Sequence, residues 1–279
     1  MRKYTPRTRL RRAAPAVVVM IATMAALHLC HGCASDPVPG TPVPTTPGGT
    51  ALISVTTVRS EASSDPGLPI QPTSAPRIPL PSPRTTDGPP LHEVLNARRS
   101  VRAYTDEPLS LADVGQLLWA SQGTTSTLGG RTAPSAGGTY PLEVDVVTGH
   151  VDGLPVAGVY RYHSAEHALE ARSIGADLRS RLSAASLNQT WVTDSPVTII
   201  ISAVYDRTTA VYGPRGTRYV DLEAGHAAQN LLLEAVALGL GAVTVGAFDD
   251  RLVREVLSMP EIEVPLYIIP VGRPSNETQ

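Results

Sequence analysis

Three guanidiniums and a hydroxyl stand almost side by side at Arg98, Arg99, Ser100 and Arg102, directly after the apolar-patterned run 91–95. Arginine is a permanently charged planar fork that grips oxyanions bidentately, and serine adds one more donor. The group therefore reads as a phosphate clamp at the start of a folded domain. Alone, such a cluster is equally a solvated basic turn. Two further stretches tip the balance towards a clamp. In 131–141, the small residues Ser135, Ala136, Gly137 and Gly138 lie between Pro134 and Pro141. A rigid, side-chain-poor bend of this kind lets a flat ligand approach the backbone closely. The third stretch is Gly272-Arg273-Pro274, which adds another guanidinium after the last strand-like segment.

Other patterns match chemistry only in letters. His163-Ser164-Ala165-Glu166-His167 has the spacing of a zinc motif, but that motif needs a helix to bring both imidazoles to one face. Here it lies between two strand-like runs, and no metal is expected. Gly239-Leu240-Gly241 closes a helix instead of opening one, so it is not a dinucleotide fingerprint. Neither a G-x-S-x-G elbow nor a phosphate-loop GK[ST] occurs. His226 reads as a helix residue that packs or forms hydrogen bonds. The formal net charge of -2 gives no electrostatic case for nucleic acid as a partner.

The elements that must position these residues follow from periodicity. Ser110 with Asp113 forms a capping signature before a helix expected to reach Gln122. Segment 142–148 alternates as a strand, and 158–163 with 168–173 reads as a hairpin. A helix is expected over 177–185. The β-branched run 196–204 is expected to be a central strand buried on both faces. The longest helix is expected over 219–240, followed by a short strand at 242–247, a helix over 249–258 and a last buried strand over 264–271. Helices and strands mix without a regular βαβ rhythm, which makes the fold class α+β.

Upstream, the composition changes twice. Residues 1–33 read as an export leader: Arg2, Lys3, Arg7, Arg9, Arg11 and Arg12 precede an uncharged apolar run over 13–29. The run ends near Cys33, where the sequence resembles a bacterial lipoprotein processing site, with an uncleaved anchor or a plain signal peptide as the other readings. Arg11-Arg12 is compatible with twin-arginine export. Exported, membrane-anchored placement on the outer side of the cytoplasmic membrane, or in the periplasm, is the expectation. Cys30 and Cys33 are the only cysteines, so the domain has no disulfide and no thiolate chemistry. Residues 34–90 are rich in Pro, Thr, Ser and Gly and read as a disordered tether, leaving 91–279 as the folded domain.

Taken in order, the blocks ARRSVRAYTDEPLSLADVGQLLWASQG, APSAGGTYPLEV, GVYRYH, YVDLEAGHAAQNLLLEAVALGLGAVTVGAF and PVGRP resemble the SagB-type subgroup of the FMN-dependent nitroreductase family across residues 91–274. The resemblance implies a mixed central sheet flanked by helices, a homodimer, and FMN bound at the subunit interface. It implies that Arg98, Arg99, Ser100, Arg102 and Arg273 hold the phosphate and ribityl chain. Pro134, Ser135, Ala136 and Gly137 would line the ring, while Val245 and Gly246 present backbone N–H groups to its N5 edge. Where azoline oxidases of the subgroup carry Lys-Tyr, this chain has Val211-Tyr212. Tyr212 is then either a proton donor or acceptor, or a packing residue of the substrate pocket. The implied activity is hydride exchange between flavin and a small molecule or peptide ring. The rivals are an NAD(P)H-dependent nitro or quinone reductase, and a flavin- or ligand-binding lipoprotein without turnover.

Overall fold

In the computed structural model, residues 77–154 and 156–275 are described. The leader, Cys33 and the tether up to residue 76 lie outside them. Among the described residues no helix is long and apolar enough to cross a membrane.

A seven-stranded sheet carries the domain. It is built from β1 (Arg77–Pro79), β3 (Leu142–Thr148), β5 (Gly158–His163), β6 (Ala168–Ile174), β7 (Val197–Ala203), β8 (Gly241–Ala242) and β9 (Val264–Gly272), in the order β1-β6-β5-β3-β7-β9-β8. Every neighbouring pair is antiparallel. The sheet is mixed only through a parallel bridge between Ser100 and Ala242 at its β8 edge. The two remaining strands, β2 (Leu109–Ser110) and β4 (Val151–Asp152), form a separate parallel pair.

β7 shows why the sheet has two covered faces. All its residues are buried, as a continuous β-branched run requires. Ile199, Ile201 and Ala203 pack beneath α2 (Leu111–Gln122) and α6 (Arg215–Ala237), while Ile200 faces α3 (Arg179–Ala185), α4 (Thr190–Asp194) and α7 (Asp250–Leu257). α2 starts as the sequence predicts. Ser110 Oγ accepts from the Asp113 amide at 3.0 Å, and Asp113 Oδ2 accepts from the Ser110 amide at 3.3 Å. On the second face the register sets Asp145 opposite Arg161, whose fork donates to both carboxylate oxygens at 2.7 Å. Glu263 closes on the same guanidinium at 2.7 Å.

Three expectations need correction. The folded unit does not begin at residue 91. Arg77–Pro79 pairs with β6, Leu80 is buried, and the Leu80 amide donates to His167 O at 3.0 Å. Arg84 then exchanges two hydrogen bonds with the Gln116 side chain. Pro79 and Pro81 conceal this strand in the sequence, yet proline is tolerated at a sheet edge. The strand expected over 242–247 pairs only at Gly241–Ala242, with one more bridge from Val245 to Ile268. Its partner β9 carries Pro270, which has no N–H to return to Val243. Finally, residues 205–218 hold helix α5 (Asp206–Tyr212), for which the sequence reading assigned no element.

Candidate functional site

The arginine cluster sits where α1 (Leu91–Ala97) ends and the chain becomes extended along β8 and β9. The Arg98 amide closes the helix on Val94 O at 2.9 Å. Ser100 bridges Ala242, the Val101 amide donates to Ala242 O, and the Thr105 amide donates to Arg273 O. This seating requires a glycine at 241, because a Cβ there would lie 2.6 Å from Val101 Cγ1. Tyr104 anchors the run. Its hydroxyl donates to the Val101 carbonyl at 2.7 Å with the Pro270 carbonyl alongside at 3.2 Å, and burial pushes its pKa upward, so it stays a neutral donor.

The structure thus brings Arg98, Ser100, Arg102, Arg273, Val245 and Gly246 to one sheet edge, although their roles divide. Among the described residues, Arg98 and Arg102 have no carboxylate partner. Arg102 lies over the Trp191 ring at 5.6 Å. Arg99 turns back onto the Asn96 and Arg98 carbonyls, and Arg273 pairs with Glu107 at 3.1 Å. The Val245 amide is already spent on Ile268 O at 2.8 Å, so it cannot be offered to a ligand. Gly246 is exposed, with open space where a side chain would be. Of the two amides expected at this edge, only that of Gly246 remains available.

Pro134, Ser135, Ala136 and Gly137 form a second assembly. Ser135 Oγ accepts from the Tyr140 amide at 2.9 Å, and Thr139 Oγ1 meets Thr208 Oγ1 of α5 at 2.7 Å. Gly137 has φ 60°, and a Cβ there would come within 2.6 Å of Tyr212 Oη. Tyr212 therefore rests directly on the loop, edge-on to Tyr219 at 5.2 Å. Beneath it, Glu223 of α6 is 2% exposed and lies against Ser135 and the Ala136 amide. Burial pushes its carboxyl above the usual range, against the pull of Ser135 and Arg131. Among the described residues Glu223 Oε1 has no hydrogen-bond partner. From Glu223 to the end of α6 is about four turns, roughly 20 Å. The loop and the arginine cluster therefore occupy opposite ends of that helix.

Both histidines of the 163–167 pattern have partners of their own. His167 meets the Tyr162 hydroxyl at 3.0 Å and Pro81 O at 2.9 Å, while His163 pairs with Glu170 at 2.7 Å. Among the described residues no group of side chains could hold a metal ion. Trp191 and Glu223 went unnoticed in the sequence. Glu223 had left one signal, a carboxylate on the otherwise apolar face of the longest helix.

A family model described as the nitroreductase family matches residues 95–273. The chain belongs to the nitroreductase family. A Methanocaldococcus jannaschii protein bearing a nitroreductase name is 46% identical over 183 residues, covering 66% of this chain and 90% of that relative. The FMN reductase [NAD(P)H] of Bacillus subtilis is 22% identical over 198 residues, 66% of each chain. A crystal structure from Ralstonia eutropha JMP134, also with a nitroreductase name, superposes with a TM-score of 0.63 at 34% identity, covering 73% of this chain and 92% of that one. Membership and relatives make this nitroreductase-family chain an oxidoreductase. The donor set fits the family's flavin: two uncommitted guanidiniums and the Ser100 hydroxyl suit a phosphate dianion, and a loop of small residues suits a flat ring.

Proposed function

We propose that the chain is an FMN-dependent oxidoreductase of the SagB-type subgroup, working as a homodimer at the outer face of a membrane. The carrying observation is the pair of carboxylate-free guanidiniums, Arg98 and Arg102, on the same edge as the available Gly246 amide. When bound, FMN supplies the hydride chemistry. Arg98, Ser100 and Arg102 hold its phosphate, and Arg273 joins them by exchanging Glu107 for the ligand. The Gly246 N–H donates to the N5 edge, orienting the ring. Pro134, Ser135, Ala136 and Gly137 wall the ring and exclude water, with the Tyr212 hydroxyl poised above Gly137 to hold or pass a proton. A small molecule or a peptide ring is the hydride partner. The name of the Bacillus relative supports NAD(P)H as the source of electrons.

A dimer reconciles the two ends of α6. Clamp and loop of one protomer are separated along α6 by about four helical turns, roughly 20 Å. Along α6, Tyr219, Leu222, His226, Gln229, Leu233 and Val236 recur at alternating three- and four-residue spacing, with Leu222 51% exposed. Leu95 of the adjacent α1 is 54% exposed. Two-fold pairing on this stripe sets the partner's loop beside the clamp.

One preparation tests the whole reading. Expressed at full length, the protein is expected in the membrane fraction and, once extracted with detergent, to show the absorbance bands of bound oxidised flavin that bleach with NAD(P)H. A folded, colourless protein that ignores added FMN would refute the cofactor. Recovery in the soluble fraction, unlipidated, would refute the anchor at Cys33.

A further inference from the structure

Between the start of β3, the end of β5 and the hairpin turn 164–166 lies a cleft of about 200 Å³, lined by Arg77, Gln122, Arg131, Glu143, His163 and Arg207 among others. It contains three guanidiniums in unequal circumstances. Glu166 holds Arg77, and Glu143 holds Arg207. Arg131 has no carboxylate within pairing distance among the described residues. Its Nη1 donates to Gln122 Oε1 at 3.0 Å, and its plane lies over the Tyr140 ring at 4.3 Å.

That single bond has a consequence. A guanidinium only donates, so it fixes the Gln122 amide with its oxygen towards Arg131 and its NH2 elsewhere. Gln122 is 1% exposed, and its Nε2 finds no acceptor among the described residues. A buried donor left without an acceptor is destabilising. Burial also lowers the Arg131 pKa, with the Tyr140, Glu143 and Glu223 charges offsetting this only in part. The carboxylates nearby are already occupied: Glu143 bonds Arg161 and Arg207, and Glu166 bonds Arg77. His163 pairs with Glu170. Among the described residues the cleft therefore holds one cation without a counter-charge, Arg131, and it does not belong to the flavin clamp.

We propose that this cleft is a second ligand site, taking a carboxylate through Arg131, whose guanidinium Gln122 holds in place. The carboxylate is supplied either by a small free acid or by a peptide C-terminus. Thermal unfolding of the full-length protein tests this, with sodium acetate titrated against sodium chloride at equal ionic strength. Wild type is expected to show a saturable rise in melting temperature with acetate beyond that with chloride. Arg131→Gln is expected to lose that rise. Gln122→Glu supplies its own carboxylate to Arg131, so it is expected to melt higher without acetate and to gain nothing from it. This second variant keeps the test decisive if Arg131→Gln does not fold. A short peptide with a free C-terminus, tried beside its amidated twin, separates the sources. A tighter response to the free-acid peptide than to acetate assigns a peptide terminus, and a response to acetate alone assigns a small acid. A stabilisation of equal, non-zero size by the free and amidated peptides, an acetate effect unchanged in both variants, or none beyond chloride would overturn the proposal.

Discussion

The two ends of α6 are built on opposite principles. At the clamp end, backbone pairing does the positioning: Ser100, Val101 and Thr105 hang on β8 and the end of β9, and among the described residues Arg98 and Arg102 have no carboxylate partner. At the loop end, side chains do the positioning: Ser135, Thr139, Thr208, Tyr212 and Glu223 lock one another before any ligand arrives. An anion must supply the missing charge at the first end, whereas the second is a finished wall. Binding strength therefore belongs to the clamp and orientation to the loop, and the two can be broken separately.

The largest expected effect is at the clamp. Arg98→Ala with Arg102→Ala removes at least two charge-assisted contacts to phosphate, each worth about 1.5–3 kcal/mol. The result should be folded protein whose FMN affinity has dropped on the order of a hundredfold or more. Stripped of flavin, the variant and wild type should melt alike, since neither side chain is part of the core. Flavin that co-purifies undiminished would remove the clamp from the site. A smaller, more discriminating effect follows from the distance between the ends. Gly137→Val disables the loop, because its Cβ collides with Tyr212 Oη. Neither variant alone should load flavin. Unfolded and refolded together, they form mixed dimers in which one site pairs an intact clamp with the partner's intact loop. Random pairing restores roughly a quarter of the sites. Absence of any flavin in such mixtures would mean that each protomer builds its site alone.

The clamp end was more legible in sequence than in its detail. Arg98, Ser100 and Arg102 stand out by charge density, and the α2 cap, β7 and α6 stand out by periodicity. What stayed hidden depends on contacts made across long stretches of chain. Arg99 bends back to the Asn96 and Arg98 carbonyls, which residue type cannot announce. The Val245 amide is consumed by Ile268, a fact of register between distant segments. Arg77–Pro79 looks like tether because its prolines outweigh the alternation of Ile78 and Leu80. Tyr212 was visible as a letter, but its seat over Gly137 follows only from the packing of α5 on the loop. Local pattern exposes elements and charge; pairing between elements decides which groups remain free.

The loop end makes one quieter claim, concerning the proton of Glu223. Its carboxyl is pushed above the ordinary value of about 4.3 by burial, so the folded chain keeps a proton that the unfolded chain has already released. The unfolded state then binds fewer protons than the native state, and stability must fall as pH rises. The contribution is complete below the unfolded value and disappears as pH climbs through the raised folded one. Glu223→Gln imitates the protonated acid at every pH. Its melting temperature should therefore decline less steeply than that of wild type across the mildly acidic range, and exceed it at the upper end. Burial raises Asp145 and Glu234 as well, but they act equally in both proteins, so the difference between the two profiles isolates Glu223. Parallel profiles would mean that the carboxylate is charged in the folded protein, with Arg131 compensating it. The loop would then rest on an ion, and a neutral glutamine should loosen Ser135 and Ala136 instead of leaving them in place.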